Sequence, residues 1–249
     1  EKFLDIKCRQ ANLDPQAVVI VATVRALKMH GGVDKKELGT ENLEALAKGI
    51  KNLEKHIENI AKYNLPSVVA INAFPTDSEA ELQLLKDTCN KMGVDVAISK
   101  VWEKGADGGI ELAEKLLEIL DTKEANYQPL YDLNLSIKEK IETIAKEIYG
   151  ADGVAFDKKV LTKMKKYEAQ GLADLPICVA KTQYSLSDQP TLLGRPSGFT
   201  IKINDLIPSA GAGFLVAISG SIMRMPGLPK RPAAVNMDID KDGKIVGLF

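Results

Sequence analysis

The sequence predicts an α/β fold in which a parallel sheet with flanking helices is followed by a smaller mixed α+β part. Two observations predict it. Short, unbroken apolar runs alternate with amphipathic helical segments in the first half, and shorter strand-like runs separated by Gly and Pro fill the second half. Strands that alternate with helices form parallel sheets with right-handed crossovers. We therefore expect two domains, residues 1–125 with an incomplete Rossmann-like sheet and residues 126–249 with mixed α+β structure.

In the first half, each predicted strand is followed by a predicted helix. A short polar stretch precedes the first strand. The strands are predicted at residues 17–24 (AVVIVATV), 67–74 (SVVAINAF) and 94–102. Because the first run is continuous and β-branched, we expect that strand to be covered on both faces. The helices are predicted at residues 41–63, 79–92 and 110–120. Cap candidates for the second helix are Thr76, Asp77 and Ser78, with Glu79 and Glu81 at capping-box spacing.

The second half begins after a polar linker at residues 121–129. Helices are predicted at residues 136–149 and 157–170, and Gly171 ends the second of them. Four strands are then predicted, at residues 177–182, 199–204, 214–219 and 235–240. The change from long alternating segments to short strands is what predicts a separate mixed α+β domain.

The composition excludes several classes of protein. The 249 residues carry 33 Lys and Arg against 34 Asp and Glu, so no charge excess indicates binding to nucleic acid or to an acidic membrane. The apolar runs are too short to cross a bilayer, and the charged start EKFLDIKCRQ has no signal-peptide core. Cys8, Cys89 and Cys178 have no metal-ligand spacing and predict reduced, buried thiols in a cytoplasmic protein. The start without Met suggests a piece of a longer polypeptide.

Aromatic residues follow two of the three predicted strands. Ligands of open parallel sheets bind beyond the carboxyl ends of the strands, where residues 25–32, 74–77 and 102–109 form loops. Phe74 opens the second of these loops and Trp102, the single Trp, opens the third. Since neighbouring strands lie about 4.8 Å apart, the two rings could flank a flat ligand. The alternative is that both rings cap the hydrophobic core.

Other patterns favour structural roles. The D-x-D-x-D-G run at residues 238–243 resembles half of a calcium loop, but Phe249 stands where a bidentate Glu is needed, so a hairpin turn at Asp242 and Gly243 explains it better. The SAGAGF run at residues 209–214 precedes a strand and favours close backbone packing. His30 follows a strand, whereas His56 is expected on the polar side of a helix. We expect no metal site.

Longer motifs carry a family resemblance. They occur in family order over nearly the whole chain: DIKCR (5–9), VATVRALKMHGG (21–32), NLEKHIEN (52–59), VVAINAFPTDSEAE (68–81), LYDL (130–133), LPICVAKTQYSLS (175–187), SAGAGF (209–214), MPGLPKRPAA (225–234) and DIDKDGKIVGLF (238–249). Together they resemble formate–tetrahydrofolate ligase. The resemblance implies formylation of tetrahydrofolate by formate through formyl phosphate, with ATP, accompanied by Mg²⁺, and tetrahydrofolate as substrates and no tightly bound cofactor.

The resemblance also implies a binding site for the pterin ring. Phe74 with Pro75, and Trp102, occupy the positions that stack on the pterin in the family, and the backbone near Ile98 would lie by the pterin edge. No catalytic residue is assigned, because the family's glycine-rich phosphate loop with its Lys has no counterpart in this sequence. Arg25 and Lys28 are the nearest cations at a strand end. Asn204 and Arg224 depart from the family pattern.

Two hypotheses follow. The chain is either the folate side of a ligase whose other part supplies catalysis, or a free-standing domain that binds folate or a partner without turnover. An incomplete sheet would expose an edge strand, so we expect association with the missing part or with further copies as a homo-oligomer.

Overall fold

The computed structural model describes residues 1–220, 222, 230–243 and 245–247. Its strands are β1 (Val18–Ala22), β2 (Ser67–Asn72), β3 (Asp95–Ser99), β4 (Gly153–Phe156), β5 (Ile177–Ala180), β6 (Thr200–Ser209), β7 (Phe214–Ser219), β8 (Asp238–Ile239) and β9 (Ile245–Val246). Its α-helices are α1 (Arg9–Ala11), α2 (Val24–His30), α3 (Leu43–Ala61), α4 (Glu79–Lys91), α5 (Val101–Lys104), α6 (Ile110–Thr122), α7 (Ile137–Ile144) and α8 (Lys158–Ala169). Short π-helical and 3-10 segments connect several of them.

The first sheet has the order β1-β2-β3, and all its strands run parallel. Helices α3 and α4 connect the strands and pack on them, and α6 lies against β2 and β3. Strand β2 is buried along its centre. The predicted cover on both faces of β1 is wrong, because Val19 and Val21, which alternate onto one face, are 37% and 66% exposed. Strand β1 is therefore an open edge with one bare apolar face.

The second sheet is mixed and has the order β4-β6-β7-β5, with only the β6–β7 pair antiparallel. Helices α7 and α8 pack against it. This arrangement confirms the predicted fold class, a parallel sheet with flanking helices followed by a mixed part. The described residues of the chain thus form two larger sheets with separate clusters of buried apolar side chains, and a two-stranded sheet of β8 and β9.

Two predicted boundaries in the first half are wrong. The loop predicted at residues 25–32 is largely helix α2, because Thr23 caps it: its hydroxyl accepts the Ala26 N–H at 3.1 Å. The strand predicted at residues 94–102 ends at Ser99, and Trp102 lies on the helical turn α5. Both errors arise from apolar residues that continue a strand-like pattern into the first turn of a helix.

The second half also differs in detail. Strand β4 is absent from the sequence prediction, and the helix predicted at residues 136–149 changes from α-helix α7 to a π-helical segment, Ala145–Tyr149. The strand predicted at 235–240 begins within a 3-10 turn, Ala233–Asn236, and only Asp238–Ile239 pairs as a strand. The N-terminal stretch predicted as polar is helical from Phe3 to Ala11.

Polar side chains of α3 hold the two sheets together. Asn52 donates to the Gly194 carbonyl at 2.8 Å, and Asn59 donates to the Ile148 carbonyl at 2.9 Å. Arg195 forms two hydrogen bonds of 2.7 Å with the Glu58 carboxylate. The predicted polar side of this helix is therefore partly an internal contact surface. The division into two domains at residues 1–125 and 126–249 stays a prediction.

Candidate functional site

Three segments meet at the carboxyl edge of the first sheet. They are the start of α2, the loop that follows β2, and the segment that follows β3. The Ala73 N–H donates to the carbonyl of Ser99, the last residue of β3, at 3.1 Å, which extends the pairing one residue beyond the end of β2. The residues that come next, Phe74 and Lys100, consequently start their loops side by side. This edge is where parallel α/β sheets bind ligands.

The rings of Phe74 and Trp102 face each other at this edge. Their centroids are 6.2 Å apart and their planes differ by 21°. The rings are accessible, since Phe74 is 36% and Trp102 54% exposed. A flat ring between them needs about 3.5 Å on each side, or about 7 Å in total. The distance between the two rings is therefore slightly shorter than a planar heterocycle between them requires. An increase of about 1 Å in that distance would admit one.

A hydrogen bond fixes the indole. Trp102 Nε1 donates to the Ala73 carbonyl at 2.7 Å, so the ring of α5 is tied to the loop that carries Phe74. The exposed Pro75 is the second residue of the turn from Phe74 to Asp77. Ile98 is half-buried and pairs with Ile71 in the sheet, next to the last residue of β3. The structure thus brings Phe74, Pro75 and Trp102 together, with Ile98 in the strand that leads to them.

Asp77 closes the turn that carries Phe74. Its Oδ2 accepts the Phe74 N–H at 2.8 Å, and its own N–H donates to the Phe74 carbonyl at 2.9 Å. Oδ1 of Asp77 is buried and has no hydrogen-bond partner in the described part of the chain. Burial raises the pKa of Asp77 above its usual value, against the opposing effect of the Phe74 N–H. The sequence offers Asp77 only as a candidate helix cap.

Ser78 is the cap of α4, and the predicted capping box is confirmed. Its hydroxyl accepts the Glu81 N–H at 3.2 Å, and the Glu81 carboxylate accepts the Ser78 N–H at 3.1 Å. The same carboxylate forms an ion pair of 2.8 Å with Lys28, and both side chains are fully buried. Glu81 therefore joins the cap to an internal charge pair.

Lys28, one of the two cations nearest this strand end, is not free to bind a phosphate. Its ammonium group is enclosed by Glu81 and the Thr40 carbonyl, to which it donates at 2.9 Å. Arg25 remains partly exposed at the start of α2 and makes no ion pair with the described residues. The separation of Lys28 and Glu81 along the chain hides this pair from sequence reasoning.

A cleft of about 620 Å³ runs beside β1, lined by α2, α3 and the π-helical segment. His30 and His56 both line it. His30 Nδ1 accepts the Gly194 N–H at 3.2 Å, and burial lowers the pKa of His30. The pKa of His56 is lowered by reduced hydration and then by the neighbouring His30. Apolar side chains such as Ile20, Leu53 and Ile60 also line the cleft, which fits packing against more protein.

The remaining patterns have structural roles. Residues Ala210–Ala212 form a 3-10 turn between β6 and β7, and Gly213, with φ +71°, packs closely against the Gln10 side chain. The predicted hairpin is present, since β8 and β9 pair around a turn in which Gly243 has φ +77°. Phe249 and Arg224 lie outside the described residues. Asn204 Nδ2 donates to the Gly220 carbonyl at 3.2 Å.

The described residues contain neither a membrane-spanning helix nor a metal cluster. No helix among them is long and apolar enough to cross a membrane. No group of three or more His, Cys, Asp or Glu side chains among them is arranged to hold a metal ion. Cys8 and Cys89 are buried, Cys178 is half-buried, and all three are free thiols.

Comparison with known families gives a match over the whole chain. The family description is Formate–tetrahydrofolate ligase, and the matched residues are 1–249. The match confirms the resemblance carried by the motifs, and it implies a ligase that uses formate, tetrahydrofolate and ATP. The aromatic pair therefore lies in a protein for which a planar heterocyclic substrate is expected, and the chain belongs to the formate–tetrahydrofolate ligase family.

Proposed function

We propose that this chain supplies the folate-binding side of an ATP-dependent ligase that makes 10-formyltetrahydrofolate. The observation that carries the proposal is the stacked pair of Phe74 and Trp102 at the carboxyl edge of a parallel sheet. The pterin is a flat bicyclic ring that would lie between the two side chains. Pro75 would border it next to Phe74, and the backbone near Ile98 would face its edge.

The reaction proposed for the assembled enzyme has two steps. Formate is a poor electrophile, because its carbon carries no usable leaving group. Transfer of the ATP γ-phosphoryl group to a formate oxygen gives formyl phosphate and ADP. The N10 amine of tetrahydrofolate then attacks the formyl carbon, phosphate leaves, and N10 loses a proton. On this chain, the aromatic pair would hold the pterin so that N10 points toward the phosphate-binding part.

We propose that the groups that bind phosphate come from another part of the enzyme. Phosphoryl transfer depends on cations and oriented N–H groups around the transferring group. Of the Arg and Lys residues of α2, Lys28 in the last turn is buried in an ion pair, and Arg25 in the first turn stays partly exposed. We propose that the phosphate-binding part pairs with the open edge of β1 and fills the adjacent cleft, where apolar surface is exposed.

Tetrahydrofolate should quench the fluorescence of this chain. Trp102 is the only Trp, so the signal reports on the proposed site alone. A pterin stacked on the indole would change its emission, and titration of the purified chain gives the dissociation constant. A matched titration with ATP should leave the emission unchanged. If saturating tetrahydrofolate leaves the emission unchanged, the pterin does not stack on Trp102.

Trp102→Ala should raise the KM for tetrahydrofolate in the complete ligase by about tenfold or more, because a stacked face contributes about 0.5–1.5 kcal/mol beyond burial. The KM for ATP should stay nearly the same. Steady-state kinetics with each substrate varied in turn makes the comparison. Trp102→Phe is the matched control, since it keeps a stacking ring and loses only the bond to Ala73. Equal losses for both substrates would mean that Trp102 has a structural role.

A further inference from the structure

The turn between β2 and α4 contains a carboxylate that helix capping does not require. Ser78 and Glu81 already satisfy each other's N–H groups as a capping box. Asp77 points backward along the chain, and both of its bonds in the turn are to the backbone of Phe74, one to the N–H and one to the carbonyl. One residue thus fixes both backbone polar groups of the residue whose ring faces Trp102.

We propose that Asp77 is a positioning residue of the pterin site, which acts through Phe74 and sets the gap between the two aromatic rings. This inference rests on the proposed folate-binding function. The two rings are tied to the sheet by different bonds: the indole of Trp102 by its N–H to the Ala73 carbonyl, and the Phe74 backbone by the Asp77 carboxylate. Losing the second bond would free the Phe74 backbone while the indole stays in place.

The surroundings of Asp77 support a role beyond that of a turn residue. Its Oδ1 is buried without a partner among the described residues, and such an acceptor destabilises the fold. The groups that act on it electrostatically are Glu81 from α4 and Lys28 and Arg25 from α2. A simple turn could be formed by a residue that leaves no buried acceptor unpaired and so does not lower the stability of the fold. The carboxylate gives a stronger hydrogen bond to the Phe74 N–H than a neutral acceptor would.

The first test compares variants of Asp77 by titration of Trp102 fluorescence with tetrahydrofolate. Asp77→Ala should raise the dissociation constant about tenfold, since it removes the charge-assisted bond to Phe74. Asp77→Asn keeps an acceptor and should stay within about threefold of the parent. Thr76→Ala, an exposed change in the same turn, should stay within about twofold. In the complete ligase, the ATP KM should not change for any of them.

The second test asks whether Asp77 acts through the Phe74 ring. In a Phe74→Leu background, which has no ring to position, Asp77→Ala should weaken binding by less than about twofold. The same tenfold loss in both backgrounds would overturn the proposal, and so would unchanged binding in the single Asp77→Ala variant. If Asp77→Ala does not fold, Asp77→Glu replaces it, because its longer side chain displaces the carboxylate from the Phe74 N–H.

The outcomes separate this inference from the proposed function. If Phe74→Leu leaves the fluorescence titration unchanged and Trp102→Ala leaves the KM for tetrahydrofolate unchanged, the pterin site itself is wrong. If these two variants weaken binding and Asp77→Ala does not, the pterin site stands and the role of Asp77 falls. A rise in the KM for ATP equal to that for tetrahydrofolate would make Asp77 a general structural residue.

Discussion

The 249-residue chain alone is expected to show no formate-dependent release of ADP in the presence of tetrahydrofolate. Transfer of a phosphoryl group needs several positioned cations or N–H groups, and flexible cations alone are a poor substitute for a cradle of backbone amides. At the carboxyl edge of the first sheet, Lys28 is paired with Glu81, which leaves the half-buried Arg25 and Lys100. Binding of tetrahydrofolate should nevertheless be retained, since the aromatic pair is complete.

The measurement compares this chain, the complete ligase, and this chain mixed with a separately purified phosphate-binding part. Activity should return on mixing, because the open edge of β1 and its exposed Val19 and Val21 offer a surface for an added strand. Val21→Lys on the bare face should weaken this recovery. Turnover by the chain alone within about tenfold of the complete enzyme would contradict the prediction, since a missing charge-stabilising donor costs about 10²–10³ in rate.

Replacing Glu81 with alanine is expected to lower the free energy of unfolding by about 3–5 kcal/mol, because it leaves the ammonium of Lys28 buried and unpaired. Glu81 also accepts the N–H groups of Asn42 at 2.9 Å and Ser78 at 3.1 Å, which would lose their partner. The side chain consequently joins α2, α4 and the segment before α3.

Urea unfolding monitored by circular dichroism measures the free energy of unfolding of the parent and of Glu81→Ala. Glu44→Ala is the control, since Glu44 and Lys48 form an exposed pair at 2.7 Å and exposed pairs contribute about 0–1 kcal/mol. A loss of less than about 1 kcal/mol for Glu81→Ala would contradict the expectation. The loss of unfolding free energy for Glu81→Gln should lie between those for Glu81→Ala and Glu44→Ala, because the amide oxygen can still accept the backbone N–H groups.

The effect of Glu81→Ala should also depend on pH. Burial favours the neutral form of Glu81, but Lys28 and the two backbone N–H groups outweigh it and lower its pKa. A carboxyl with a lowered pKa stabilises the fold fully above its unfolded-state pKa of about 4.3. That stabilisation disappears as the pH falls through the lower folded-state pKa. The stabilities of parent and variant should therefore converge in acid.

The elements that sequence predicts well are those whose signal is local. The apolar run of β2, the Ser78 capping box and the aromatic residues at two strand ends are read from neighbouring residues. The start of α2 is missed because Val24 continues the apolar run of β1, although Thr23 provides a cap. The hydrogen bonds of Asp77 to the Phe74 backbone are missed because Ser78, next to it, is an equally good cap residue. Which of them caps the helix depends on the turn at Pro75.

The contacts that sequence cannot predict are those between distant parts of the chain. The Lys28–Glu81 pair looks like two surface charges until α2 and α4 are packed together. The bare face of β1 has the same β-branched composition as the covered strand β2, so its exposure depends on which helices reach it. Composition indicates that a strand belongs in a sheet, but its neighbours decide whether it lies in the centre or at the edge.

During synthesis, the helical segment from Phe3 to Ala11 is made well before most of the residues that it contacts in the folded chain. Asp5 is buried against the Tyr63 hydroxyl at 2.7 Å and the Leu130 N–H at 2.8 Å, and Gln10 donates to the carbonyls of Ala212 and Gly213 at 3.0 and 2.9 Å. These partners leave the ribosome long after the segment itself. Contacts so distant in sequence form slowly, so we expect the first sheet, whose strands are closer together in the chain, to form before them. A segment translated well ahead of its partners is thus expected to be among the last to reach its native position.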